Sequence, residues 1–154
     1  MERIRATDTI NANAAEGFVT IDGVMHRIFY AKSFEAKVEK TKQEIRLLNR
    51  RMTAHKTTGI KGTGSMTLYM VTPFYRKMVE DYKATGRDAY FSIVISNHDP
   101  ESTMGTLTTA FYDVNIDSSI LSKFSTDEGG VLEEEVTFTF DDYAHLSLFN
   151  DAPN

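Results

Sequence analysis

From Ser33 to Lys40 the chain alternates without a break, Phe34, Ala36 and Val38 on one side and Glu35, Lys37 and Glu39 on the other. A period of two is the signature of a strand with one face in a core and one face outside. The same period returns in Gly64 to Val71, where Met66, Leu68 and Met70 oppose Ser65, Thr67, Tyr69 and Val71. It returns again within Val131 to Tyr143, where Val136, Phe138 and Phe140 oppose Glu135, Thr137, Thr139 and Asp141. Nearer the start, Phe18 to Ile21 runs into Asp22-Gly23 and resumes at Val24, which predicts a tight hairpin because that dipeptide tolerates the positive φ angles such a turn needs. Ala89 to Ser96 is a continuous apolar run stopped by Asn97-His98-Asp99-Pro100, Leu107 to Ile116 alternates around Phe111 and Val114, and Ile120 to Phe124 precedes the turn cluster Asp127 to Gly130.

Only one segment has a helical period. Phe74, Met78 and Tyr82 recur every four residues with Tyr75 and Val79 beside them, Pro73 suits the first turn, and Gly86 is placed to end it. Two stretches carry no clear period: residues 1–16, read as an arm, and residues 41–61, read as a long loop available for an interface. The expected architecture is mainly β: a single domain over 1–154, an antiparallel two-sheet sandwich or barrel with one flanking α-helix.

Composition narrows the function more than the fold. A chain of 154 residues has the size of one ordinary domain. It has no cysteine, which removes disulfides, thiolate metal sites and thiol nucleophiles together. With 17 basic and 22 acidic residues the net charge is -5, the opposite of a general nucleic-acid binder. The first fifteen residues hold no apolar core segment of a secretory signal, and no run approaches the ~20 apolar residues of a membrane span. The expectation is synthesis in the cytoplasm without signal-directed export and without membrane insertion by this chain.

His26, His55, His98 and His145 are far apart and show no paired metal spacing. Gly59 to Gly64 resembles a phosphate loop, yet Lys61 precedes its last two glycines and the chain enters a strand, so backbone amides would not converge on a phosphate; glycines allowing close backbone approach are the simpler reading. Glu133-Glu134-Glu135 and Asp141-Asp142 supply acids, but consecutive strand residues point to alternate faces and nothing fixes an opposing carboxylate. The serines lack a nucleophile-elbow context. The basic run Arg46, Arg50, Arg51, His55, Lys56 and Lys61 has two readings: a nucleic-acid patch, without aromatics to stack bases, or contacts to acidic strands of a neighbouring copy, for which arginine is well suited. No catalytic set, cofactor site or metal site is expected.

The stretch Glu35-Ala36-Lys37-Val38-Glu39-Lys40, then Arg50-Arg51, then His55 to Gly59 and Lys61 to Thr67, resembles the XkdM-like tail tube family of contractile phage tails and related prophage and bacteriocin particles. The resemblance extends over most of the chain, including the Asp22-Gly23 hairpin and the Phe74 helix, and is least specific at the C-terminus. It implies a non-enzymatic virion subunit, six copies to a ring, and rings stacked into a hollow tube within a sheath. It implies a homo-oligomer whose partners are sheath, tape-measure and baseplate or terminator proteins, located in the virion tail, with DNA passing through unbound. The basic residues above are then subunit-interface candidates, and Glu135, Thr137, Thr139 and Asp141 are candidates to line the bore. The alternatives are a non-catalytic β-rich binding module of a phage particle, or a tube subunit of a secretion or bacteriocin-like system.

Overall fold

The computed structural model describes residues 6–8, 15–21, 23–27, 31–69, 74–118, 121–122 and 132–148. Eight strands and one helix follow in order: β1 (Ala15–Ile21), β2 (Val24–Arg27), β3 (Ala31–Ile45), β4 (Ala54–Tyr69), α1 (Phe74–Thr85), β5 (Phe91–His98), β6 (Thr106–Ile116), β7 (Glu133–Phe140) and β8 (Asp142–Ser147). All pairings are antiparallel, in the order β2-β1-β5-β6-β7-β4-β3 with β8 also on β6. The path is open, with β2 and β3 at its two ends, so the sandwich and not the closed barrel is realised.

One strand joins the two layers. β6 pairs with β5 and β8 through most of its length, and its last residues, Asn115 and Ile116, pair with Thr139 and Phe138 of β7. Between these halves the register against β5 slips, and Asp113 adopts a φ of 54°. A bulge of this kind bends and twists a strand, which is how one strand serves two sheets. The crossing is fixed from the other side by the Asp141 amide, which donates to the Tyr112 carbonyl at 3.2 Å. The strand expected over Val131 to Tyr143 is therefore broken at Asp141, and its second part joins the opposite sheet as β8.

Between the layers lies the core: Val19, Phe91, Ile93, Phe111 and Val114 from one sheet region and Met66, Leu68, Val136, Phe138 and Phe140 from the other, with Phe34 and Met78 packed at its border. Aromatic rings tie it together, Phe34 stacking on Phe138 at 5.6 Å and Phe111 meeting Phe140 edge-on at 5.0 Å. Gly62 and Gly64 are not bends in a loop. They sit in β4 opposite Phe140 and Phe138, whose rings lie flat over them: a Cβ on either glycine would come within 2.3 Å of a ring carbon.

The hairpin of β1 and β2 forms as expected, Ile21 opposite Val24 with Gly23 at φ 80°; Asp22 lies outside the described residues. Helix α1 also forms, and the Gly86 amide caps it on the Tyr82 carbonyl at 2.8 Å. Met70, Val71, Pro73, Ile120, Lys123, Phe124 and 127–131 lie outside the described residues, and Leu121 and Ser122 are not strand. The expected arm is shorter than 1–16, because Ala15 and Glu16 already pair with Asn97 and Ser96 in β1. Its described part, a single 3-10 turn at Ala6–Asp8, is held on the β5–β6 connection by the Thr103 amide, which donates to the Thr7 carbonyl at 2.8 Å.

The largest departure concerns residues 41–61. This segment is not an irregular loop but the distal half of a long ribbon, with β3 and β4 paired from Ala31–Leu68 out to Ile45–Ala54 and only 46–53 forming the tip. Its helical and strand periods were both obscured because neither face is buried there, and a two-sided polar strand shows no alternation. A bulge between Thr41 and Lys42, with the Thr58 hydroxyl donating to the Thr41 carbonyl, shifts the face pattern once more.

Candidate assembly surfaces

The first surface is the outer face of the β3-β4-β7 sheet. In antiparallel pairs directly opposed residues share a face. Glu135 lies opposite Thr67, Thr137 opposite Ser65 and Thr139 opposite Thr63; those in turn lie opposite Ser33, Glu35 and Lys37, and Lys61 lies opposite Glu39. Their backs are the core residues Met66, Leu68, Val136 and Phe138. The sheet thus has one greasy side and one side made of hydroxyls, carboxylates and a few lysines. Ser118 extends the hydroxyl rows by a 3.2 Å contact with Thr137.

Two of the lysines on and beside this face are engaged by acids. Lys37 donates to Glu39 at 3.0 Å, and Lys32 donates to Glu133 at 2.9 Å. The hydrogen bond from Lys37, reinforced by its charge, holds the Glu39 carboxyl below the usual carboxylate range, and the bond to Glu133 raises Lys32 in the same way. What remains is an acid-biased, hydroxyl-rich surface. Of the four lining candidates, Glu135, Thr137 and Thr139 share this face, whereas Asp141 stands beyond the end of β7 at the corner between sheets, exposed.

A second surface is the ribbon tip. Arg46, Arg50 and Arg51 stand in the exposed tip, His55 and Lys56 begin the returning strand, and Lys61 is set apart at the root, on the polar face opposite Glu39. Leu48 is 95% exposed and Met52 76%, with Leu47 and Ile60 also open. Apolar and cationic groups therefore alternate on one projecting finger. Residues 46–56 contain no acid at all.

The triple glutamate divides as strand geometry requires. Glu133 and Glu135 take the outer face, while Glu134 is buried among core side chains at 1% exposure. Its Oε2 is met by Nη2 of Arg76 from α1 at 3.4 Å, and Oε1 has no hydrogen-bond partner among the described residues. This pair ties the helix to β7. Sequence periodicity gave no signal for it, because Arg76 lies among polar residues of the helix and Glu134 between two solvent-facing acids.

Among the described residues no cluster of histidine, aspartate and glutamate is arranged to hold a metal. Two histidines instead have local contacts, His98 with Thr106 at 2.7 Å and His145 with Thr109 at 2.9 Å.

The family model described as phage tail tube protein matches residues 2–147. The chain is 41% identical over 140 residues to the phage-like element PBSX protein XkdM of Bacillus subtilis strain 168, covering 91% of this chain and 92% of that one. Among solved structures, the tube terminating cap of the anti-feeding prophage superposes with a TM-score of 0.65 at 14% identity, covering 95% of this chain and 96% of the other. A chain of the sheath-tube complex of an extracellular contractile injection system superposes with a TM-score of 0.59 at 12% identity, covering 86% and 88%. At such identities the likeness is one of fold. The family match and the relative in Bacillus subtilis go further: this chain belongs to the phage tail tube protein family, a family of structural components and not of enzymes.

Proposed function

We propose that the chain assembles into six-membered rings that stack into the hollow tube of a contractile tail, with the outer face of the β3-β4-β7 sheet turned to the bore. The observation that carries this is the two-sidedness of that sheet: a buried apolar face backed by a continuous polar face free of large apolar side chains from Ser33 to Glu39, Lys61 to Thr67 and Glu135 to Thr139. A bore lined by hydroxyls and carboxylates lets DNA slide, since phosphates meet little unpaired positive charge and are repelled by the acids. The ribbon formed by the outer halves of β3 and β4 joins copies, its Arg46, Arg50 and Arg51 meeting carboxylates of neighbours. In this reading the particle's sheath, tape-measure, baseplate and terminator proteins are the partners, and the chain resides in the virion tail.

The test is electron microscopy of the purified protein over a range of concentration and salt. Sixfold rings or tubes are expected, with helical reconstruction placing Thr137 and Thr139 on the bore; monomers under every condition, or a bore lined by the other sheet, would refute the reading.

A further inference from the structure

We infer that α1 is a hinged flap whose seat on the body is set by the buried Glu134–Arg76 pair and not by apolar packing along the helix. Packing is thin beneath its second half. Met78 reaches the border of the core, but Val79 and Tyr82 border a hollow of about 270 Å³ whose far wall includes Asp88, Asn115, Ile116 and Asp117. Tyr82, four residues on from Met78, is 54% exposed. Two carboxylates and an amide around a space of this size suit water, so the hollow gives the helix little apolar hold.

The contact at the start of the helix has another character. The Glu134 side chain is fully buried and receives Nη2 of Arg76 at 3.4 Å, long beside the roughly 2.7–2.9 Å of a good charge-assisted hydrogen bond, and its Oε1 has no partner among the described residues. Arg76 cannot swing away without stranding that carboxylate in the core. A buried pair of this kind adds little net stability over an apolar pair of the same bulk, but it fixes one position, because apolar surfaces slide where a charge demands its partner.

The far end of the helix supplies the joint. α1 ends at Thr85, Gly86 takes a φ of 71°, and nothing lies within 4 Å of where its Cβ would stand. Three residues later the chain is fixed again, the Asn115 side-chain amide donating to the Ala89 carbonyl at 3.2 Å. The helix hangs between Glu134 and Asn115 with a glycine over open space between them, the arrangement of a hinge. Its exposed charged residues, Lys77, Glu80, Asp81 and Lys83, turn with it, so the Glu134–Arg76 pair sets how they are presented relative to the sheets.

Hydrogen exchange of the unassembled protein, read by NMR residue by residue, tests this. Arg76→Met with Glu134→Leu removes both charges and keeps apolar bulk. Amides from Met78 to Thr85 are expected to exchange about tenfold faster or more than in the parent, while those of β4, β5 and β7 and the urea midpoint stay at the parent's values or above. Adding Val79→Phe, whose ring enters the hollow, should return the helix toward the parent's protection by supplying the missing packing. If the Met/Leu pair does not fold, Arg76→Lys keeps the charge without the planar fork and should speed the same helix amides alone. Unchanged exchange in α1 in the folded variant would overturn the inference, since packing would then seat the helix. Equal acceleration in helix and strands would overturn it too, because the pair would then hold the whole fold and not the seat. So would a Val79→Phe addition that leaves the helix as fast as before, because thin packing would not be the cause.

Discussion

The same two strands behave in opposite ways along their length. In the body, β3 and β4 deliver Phe34, Met66 and Leu68 to a core closed by β7 and by the opposing sheet; beyond Gly62, where the β4–β7 pairing ends, the identical ladder continues with Ile60 bare and ends in a tip with Leu48 and Met52 bare. Backbone hydrogen bonding is common to both halves, so it is not what distinguishes them. Coverage is. A two-stranded ribbon alone is marginal in water, and a third strand or a packed face is what makes it stable. The body buries a core of its own, while the ribbon has no packed face until, in the proposed tube, a neighbour supplies one.

If that contrast is right, substitutions in the body should cost folding and substitutions in the ribbon should cost assembly. The largest folding effect is expected from Phe138→Ala. Phe138 is fully buried, stacks on Phe34 and covers Gly64, so the cavity should cost about 3–5 kcal/mol, measured by urea unfolding of the unassembled protein. Arg76→Ala comes next, at about 3 kcal/mol, because it strands the Glu134 carboxylate in the core; Glu134→Gln added to it should restore part of the loss by removing the charge. Gly64→Ala should cost about 1–3 kcal/mol, since its Cβ would meet both the Phe138 ring and the Glu35 carbonyl oxygen of β3, so that ring and strand must both shift. A Gly64→Ala variant as stable as the parent would show that the ring is not held over the glycine.

Reading the sequence alone reached the body and stopped at the ribbon, for one physical reason. Alternation reports burial of one face, so Phe34 to Val38, Met66 to Leu68 and Val136 to Phe140 were legible as strands, and the Phe74 helix was legible by its four-residue repeat. Where neither face is covered, as from Lys42 to Ile45 and from Ala54 to Ile60, paired strands leave no periodic trace and look like a loop. The break at Asp141 was hidden for a related reason: the pattern on both sides of the corner stays strand-like, and only the long-range bond to Tyr112 reveals that the chain has changed sheets. The hydroxyl face could be guessed on β7 but not its extension over β4 and β3, which depends on register. Glu134–Arg76 required the fold itself.

The smallest folding effect, and the sharpest separation of the two regions, is expected from Arg50→Glu with Arg51→Glu. Both residues are exposed in the tip, away from the core cluster, and surface substitutions of this sort ordinarily move stability by less than about 0.5 kcal/mol. Urea unfolding of the unassembled double variant should therefore match the parent. Assembly should not, because two cations proposed to face acids of a neighbour become two anions in a chain that is already acidic, which would turn attraction into repulsion in every contact of a repeating structure. Because the repulsion is screened by salt, raising ionic strength should recover part of the polymer in the variant, whereas in the parent it should weaken polymerisation. Sedimentation of polymer against salt concentration reads both slopes. Parallel slopes for parent and variant would mean that the arginines are bystanders in assembly.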